Sequence, residues 1–223
     1  GEANTAITTY RESSSKGIGI WKTIDGGENW ALLSSTSEFD YITDIEVKTT
    51  GNTSVIYAGV ASGVYQGDEH QSHPSDGLYK SEDGGETWSQ VLPNIENSNN
   101  PYTPSDIEIT SDGKIYVGSM KNLNGNGGAT ILSSESGEIN SWTINEDYKN
   151  IIESDNEYSI PGRIVLSSCK NAPDIVYAVI GSGYLNNMNF NLSYGNYIIK
   201  TTDNGNTWTF VNLPTDDGND WAS

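Results

Sequence analysis

A chain of 223 residues with 30 acidic against 11 basic side chains, and a formal charge of −19, lacks the basic footprint that a phosphate backbone requires, which excludes nucleic acid as a partner. Gly, Asn, Ser and Thr abound, Tyr and Trp are the main aromatics, and no run of ~20 apolar residues could cross a membrane as a helix. No helical periodicity stands out. Short apolar runs alternate with turn residues, so the expected class is all-β.

In chain order, Ala6–Tyr10 reads as a strand, followed by the strand Gly19-Ile20-Trp21-Lys22 and then Thr23-Ile24-Asp25-Gly26-Gly27-Glu28-Asn29-Trp30. That last pattern returns at Ser81–Trp88 and at Thr201–Trp208. Each copy has a Ser or Thr two residues before an Asp, a Gly two residues after it, and a Trp three residues further on. The chemistry is that of a tight turn: the carboxylate accepts downstream backbone N–H groups, the Gly takes a positive φ, and the Trp opens the returning strand with a large indole to bury. A decayed copy is expected at Ser133-Ser134-Glu135-Ser136-Gly137, with Glu in the Asp position and Trp142 displaced.

Three strand motifs surround each turn. A first strand (Ile42–Val47, Ser105–Ile109, Gly162–Leu166) precedes a tyrosine strand (Val55–Gly59, Lys114–Gly118, Ile175–Val179). A third strand (Gly19–Lys22, Gly77–Lys80, Gly195–Lys200) enters the turn, and a fourth follows it, as in Trp88–Leu92 and Trp208–Val211. Four antiparallel strands repeated in this way define a β-propeller blade. The expectation is one segment over 1–223 holding nearly four blades: about 1–35 (partial), 36–93, 94–146 and 147–214, with 215–223 opening a further one. A start at Gly1, without Met or signal peptide, reads as a mature or excised segment of a larger closed propeller.

The repeated Thr23-x-Asp25-x-Gly27-x-x-Trp30 pattern and its partners resemble the Asp-box (BNR repeat) of sialidases, sortilin-type receptors, xyloglucan-degrading endoglucanases and photosystem II assembly propellers. The resemblance implies structural roles for Asp25, Gly27, Trp30, Asp83, Gly85, Trp88, Asp203, Gly205 and Trp208. It also frames catalysis. Sialidases hold their substrate with three arginines, whereas this chain has only Arg11 and Arg163, which disfavours a sialidase site. Xyloglucan-degrading relatives use two aspartates as acid and base. Asp44 and Asp106 occupy equivalent places on consecutive first strands, and the favoured reading is that the repeat gives both the same structural contact.

Loop lengths locate the functional face. The second-to-third loops (61–76, 119–127, 181–194) and fourth-to-first loops (93–104, 145–161) are long, and strand alternation puts them all at the end opposite the Asp-boxes, where elaborated loops carry function. This face offers Tyr65, Tyr102, Tyr158, Tyr184, Phe190 and Tyr194 among Asn, Ser and Gly, a composition suited to stacking and hydrogen bonding a sugar. His70 and His73 fall in the same loops beside Asp68 and Glu69. They have metal-ligand chemistry but not the spacing that aims two rings at one ion, so a polar binding role is expected and no metal or cofactor. Asp216–Asp220 lacks the regular spacing of a calcium loop. Cys169 is expected to be buried and inert.

The texture of repeated Gly-Leu-Tyr-Lys-Ser-Glu-Asp-Gly-Gly-Glu-Thr-Trp-like units in an acidic chain looks like bacterial surface proteins exported by type IX secretion. The resulting expectation is a secreted or cell-surface, non-catalytic module that binds glycan or protein at its long-loop face. Other blades, of this chain or another subunit, are its expected partners. The alternative is the N-terminal part of a secreted glycoside hydrolase.

Overall fold

The computed structural model describes residues 16–65, 68–155, 160–185 and 190–212, with backbone alone for residues 64–65, 184–185 and 190–196. Among the described residues the strands are β1 (Trp21–Lys22), β2 (Ala31–Leu32), β3 (Tyr41–Thr50), β4 (Thr53–Ala61), β5 (Gly63–Tyr65), β6 (Asp68–His70), β7 (Gly77–Ser81), β8 (Ser89–Gln90), β9 (Thr103–Ile109), β10 (Ile115–Met120), β11 (Ile131–Ser134), β12 (Thr143–Asn145), β13 (Pro161–Cys169), β14 (Ala172–Leu185), β15 (Phe190–Thr201) and β16 (Thr209–Phe210). A short helix, α1 (Lys149–Asp155), lies before β13. All the pairings are antiparallel. They run β3-β4-β7-β8, then β9-β10-β11-β12, then β13-β14-β15-β16, with β1-β2 ahead of them. A single bridge, Met120 to Arg163, links the second and third four-stranded sets.

The three eight-residue turns share one hydrogen-bond plan. The amides of Gly27, Gly85 and Gly205 donate to the hydroxyls of Thr23, Ser81 and Thr201 at 2.8–2.9 Å. The amides four residues after each Asp (Asn29, Thr87 and Thr207) donate to its carboxylate at 2.9 Å. The Asn29 amide and side chain hold the Asp25 carboxylate down at about 2, and the Thr207 and Thr87 hydroxyls, with the amides of the same residues, hold that of Asp203 at about 2 and that of Asp83 lower still. The depressed values mean that the turns stabilise the fold at neutral pH and lose that contribution only as pH falls toward 2.

The decayed copy differs from expectation. Strand pairing sets Ser134, not Ser133, opposite Ile115, as Ser81 stands opposite Ile56 and Thr201 opposite Val176. Gly137 N–H accordingly donates to Ser134 Oγ three residues back rather than four. This turn is one residue shorter. The Glu135 carboxylate pairs instead with Lys114 at 3.1 Å, and Ser141 contacts Ser134 Oγ at 2.5 Å.

Sheet stacks on sheet through an apolar core. Tyr57, Leu78 and Val91 pack on Ile107, Ile115, Val117 and Leu132 of the next sheet, while Tyr116 and Ile131 pack on Ile164, Leu166, Val176 and Ile199 of the one after. Tyr57 and Tyr116 are 1 % and 0 % exposed. Each tyrosine lies over the turn glycine of the following unit: a Cβ on Gly137 would stand 2.4 Å from Tyr57 Oη, and one on Gly205 would stand 2.8 Å from Tyr116 Cε1. The indoles pack in the opposite direction. Trp88 meets Phe39 at 5.8 Å and Trp208 meets Tyr116 edge-on at 6.3 Å. The first copy breaks the expected pattern, since Trp30 is 57 % exposed.

Three of the long loops are partly regular. In the 181–194 connection β14 runs on to Leu185 and β15 starts at Phe190, with Tyr184 paired to Asn191 and Leu185 to Phe190. The alternation of Phe190, Leu192 and Tyr194 carries that period-2 signal beneath an Asn-rich composition. The 61–76 connection contains the β5-β6 hairpin, and α1 occupies part of 145–161 because Ile152 anchors it in the core. Cys169 is exposed at the end of β13, not buried.

Two substitutions separate backbone strain from packing. Gly84 and Gly205 share a φ of +77°. A Cβ on Gly84 meets just the mobile tip of Lys22, whereas one on Gly205 meets the Tyr116 ring. Gly205→Ala is therefore expected to cost about 1–3 kcal/mol more than Gly84→Ala in chemical denaturation, the usual penalty for overpacking a filled site. Equal losses would contradict the ring-on-glycine packing.

Candidate functional site

Three of the long connections, 61–76, 93–104 and 119–127, meet at one end of the sheets. Their cleft encloses about 190 Å³ and is lined by Ser62, Gln71, Ser72, His73, Ser75 and Asp76 from between β4 and β7, by Asn100 and Pro101 before β9, and by Asn122, Leu123 and Asn124 after β10. Asp76 forms its floor. One carboxylate oxygen accepts Ser62 Oγ at 2.5 Å and the other accepts Thr103 Oγ1 at 2.8 Å. Burial pushes this carboxyl above its ordinary range, against the pull of those two hydroxyls. Ser62 Oγ in turn accepts the Ser72 amide at 3.2 Å, and Ser72 Oγ donates to the Ala61 carbonyl at 2.5 Å. A chain of hydroxyls thereby fixes the hairpin loop against β4. On the opposite wall the Asn122 side-chain oxygen Oδ1 accepts the amides of Asn124 and Asn126, both at 3.0 Å, which shapes the 122–126 loop.

Polar side chains thus converge on a small concave surface, a setting that fits a neutral polar ligand. Asp76 is the one carboxylate in the lining, and both its oxygens are already engaged. Acid–base hydrolysis of a glycoside requires two carboxyls flanking the bond, and this cleft does not supply them.

Of the residues singled out by sequence, His73 lines the cleft and is exposed. His70 sits at the end of β6, outside the lining. Tyr102 is 3 % exposed and packs in the core, so its ring supports the face from beneath and is not offered to a ligand. Tyr158 lies outside the described residues, as do the side chains of Tyr65, Tyr184, Phe190 and Tyr194. Among the described residues no group of three or more His, Cys, Asp or Glu side chains is placed to hold a metal ion, and no helix is long and apolar enough to cross a membrane. Asp76, Asn122 and Asn124 were not singled out by sequence. Their signal was positional, since each stands at the mouth of a long loop.

Asp44 and Asp106 lie elsewhere. Asp44 Oδ2 accepts the Ile107 amide at 2.8 Å, and Asp106 Oδ2 accepts the Leu166 amide at 2.5 Å. Each carboxylate ties its sheet to the first strand of the next, so the shared structural contact expected of the repeat is present. Burial, with the neighbouring charges of Asp44 and Glu108, raises Asp106 to about 6 against the Leu166 hydrogen bond and Arg163.

No family model matches this sequence, and no curated protein matches it. Among solved structures, the GH74 xyloglucanase of Xanthomonas campestris superposes with a TM-score of 0.51 at 18 % identity, over 88 % of this chain and 27 % of that one. A protein of unknown function from Dyadobacter fermentans aligns with a TM-score of 0.47 at 17 % identity, over 85 % of this chain and 56 % of that one. YCF48 bound to D1 peptide aligns at 0.33 and 13 % identity, over 86 % and 75 %. The chain therefore spans about a quarter of the xyloglucanase it resembles, and at this identity the likeness defines fold alone. The fold is an all-β, antiparallel β-propeller segment.

Asp106 gives the pH prediction. A carboxyl whose folded pKa is raised favours the fold while protonated and opposes it as pH climbs through the unfolded value toward about 6. Asp106→Asn keeps an acceptor for Leu166 without the charge. Its melting temperature should match the parent near pH 4 and exceed it near pH 8, by about 1 kcal/mol of stability once solvent screening is allowed for. A variant less stable than the parent at pH 8 would contradict this.

Proposed function

We propose that this chain is part of an Asp-box propeller of a secreted or cell-surface protein, bacterial and exported by a type IX-like route. In this reading it is a non-catalytic module that binds glycan or protein through the long-loop face, with blades at about 36–93, 94–146 and 147–214 as its scaffold. The observation that carries the binding role is the cleft: amide, hydroxyl and imidazole groups converge there around a carboxylate that is already satisfied internally. Three copies of the Thr/Ser-x-Asp-x-Gly-x-x-Trp turn with one hydrogen-bond plan support the Asp-box assignment.

A hydrolytic role is the second reading, favoured by the xyloglucanase fold likeness. Against it, Asp44 and Asp106 each spend a carboxylate oxygen on a neighbouring sheet, and the cleft holds no second carboxyl.

The test is ligand-observed NMR with neutral oligosaccharides, in parallel with a reducing-end assay. Binding without turnover is expected, and His73→Ala or Asn124→Ala should each weaken it by about tenfold, the value of one hydrogen bond at the upper end of its range. Measurable hydrolysis, or binding indifferent to both substitutions, would contradict the assignment.

A further inference from the structure

The cleft at the long-loop face carries one charge that no described cation offsets. Asp76 lines it and is partly exposed, and its two oxygens accept the hydroxyls of Ser62 and Thr103 at 2.5 and 2.8 Å. The Ser62 oxygen already accepts the Ser72 amide, so its hydrogen is the one given to Asp76. Both carboxyl oxygens thus act as acceptors, the hydrogen-bonding state of an ionised carboxylate. The hydroxyls occupy part of its accepting capacity and leave its charge unmatched. Among the described residues Asp76 makes no ion pair, and neither Lys nor Arg lines the cleft. Burial raises this carboxyl against the pull of the hydroxyls, and a positive charge placed beside it relieves that cost.

The surroundings select the kind of cation. A hard metal ion wants several charged oxygens, and Asp76 is the one carboxylate in the lining. A guanidinium presents a planar fork that takes both oxygens of a carboxylate side by side, and here each oxygen already holds a hydroxyl from a different segment. An ammonium offers three donors from a single point. One can reach Asp76 and the others an amide oxygen, since the side-chain amides of Gln71, Asn100 and Asn124 line the same cleft and make no hydrogen bond among the described residues. A lysine side chain of a protein ligand would need apolar walls for its stem, and the walls are mostly hydroxyl and amide, with Pro101 and Leu123 as the exceptions. They suit an amine whose neighbouring carbons carry hydroxyls.

We propose that the cleft recognises an amino sugar, a hexosamine unit with a free amine, whose ammonium sits against Asp76 while its ring hydroxyls meet the amides of Gln71, Asn100 and Asn124. This rests on the glycan-binding reading above and narrows it: the rim accepts the hydroxyls of any sugar, and the floor adds a preference for one positive charge. Acetylating the amine removes that charge and adds bulk at the floor, so the N-acetylated sugar loses the preference.

The experiment is an NMR titration of the 223-residue chain at neutral pH with oligomers of glucosamine, of N-acetylglucosamine and of glucose, equal in length and linkage. The glucosamine oligomer should bind about tenfold tighter than either neutral one. Asp76→Asn, with circular dichroism confirming that it is folded, should bring the glucosamine oligomer down to the affinity of the neutral ones. A chain at −19 draws any cation toward it, so Glu86→Gln serves as the matched loss of one charge at the opposite end, where Glu86 is exposed. It should keep the preference. Equal affinity of the parent for all three oligomers overturns the proposal and leaves the glycan-binding reading standing, and it does so without any variant. A preference that survives Asp76→Asn, or that Glu86→Gln also removes, overturns it as well. Binding of none of the three overturns both.

Discussion

The fold depends on one junction: a tyrosine ring laid over a glycine that no other residue could replace without displacing the ring. The glycine is free to accept the ring because its positive φ is already imposed by the turn, where a hydroxyl and a carboxylate hold the backbone. Local chemistry and long-range packing thus meet at one atom position. The same residue closes a four-residue hydrogen-bonded loop and opens the space that lets the next sheet approach. On the inner side a carboxylate-to-amide bond pins the same pair of sheets. The stack is held at two points, one apolar and one polar.

That arrangement explains how much could be read from sequence. The turns are contiguous, so their residue types announce them directly, and strand order followed from their spacing. The decayed copy was misaligned by one residue because Ser133 and Ser134 are chemically alike, and only pairing with Ile115 decides which one faces the turn. The strands beyond Gly181 were hidden by Asn, Ser and Gly, which satisfy each other's backbone in a hairpin as readily as better strand formers do. Tyr102 falls in the long 93–104 connection, which by sequence alone puts its ring on the loop face. Its burial depends on Ile95 and Gly127 from other segments. Asp76 illustrates the general limit: its role comes from Ser62 and Thr103, fourteen and twenty-seven residues away.

Scaffold and site are separated along the strands. Turns and inner-strand carboxylates serve stacking, and the opposite end gathers loops whose side chains are less constrained by it. Asp76 belongs to both, since Thr103 opens β9 of the following sheet while Ser62 directly follows β4. The cleft floor is therefore itself an inter-sheet contact, and its shape depends on the spacing of the sheets beneath. A ligand in this cleft would touch two units at once.

The most direct test of the repeated junction is amide hydrogen exchange at Ile107 and Leu166. Both amides should be strongly protected in the parent. Asp44→Ala should speed exchange at Ile107 while leaving Leu166 protected, and Asp106→Ala should do the reverse. Fast exchange at both sites in the parent, or loss of protection that ignores which carboxylate is removed, would contradict the stacking described for this chain.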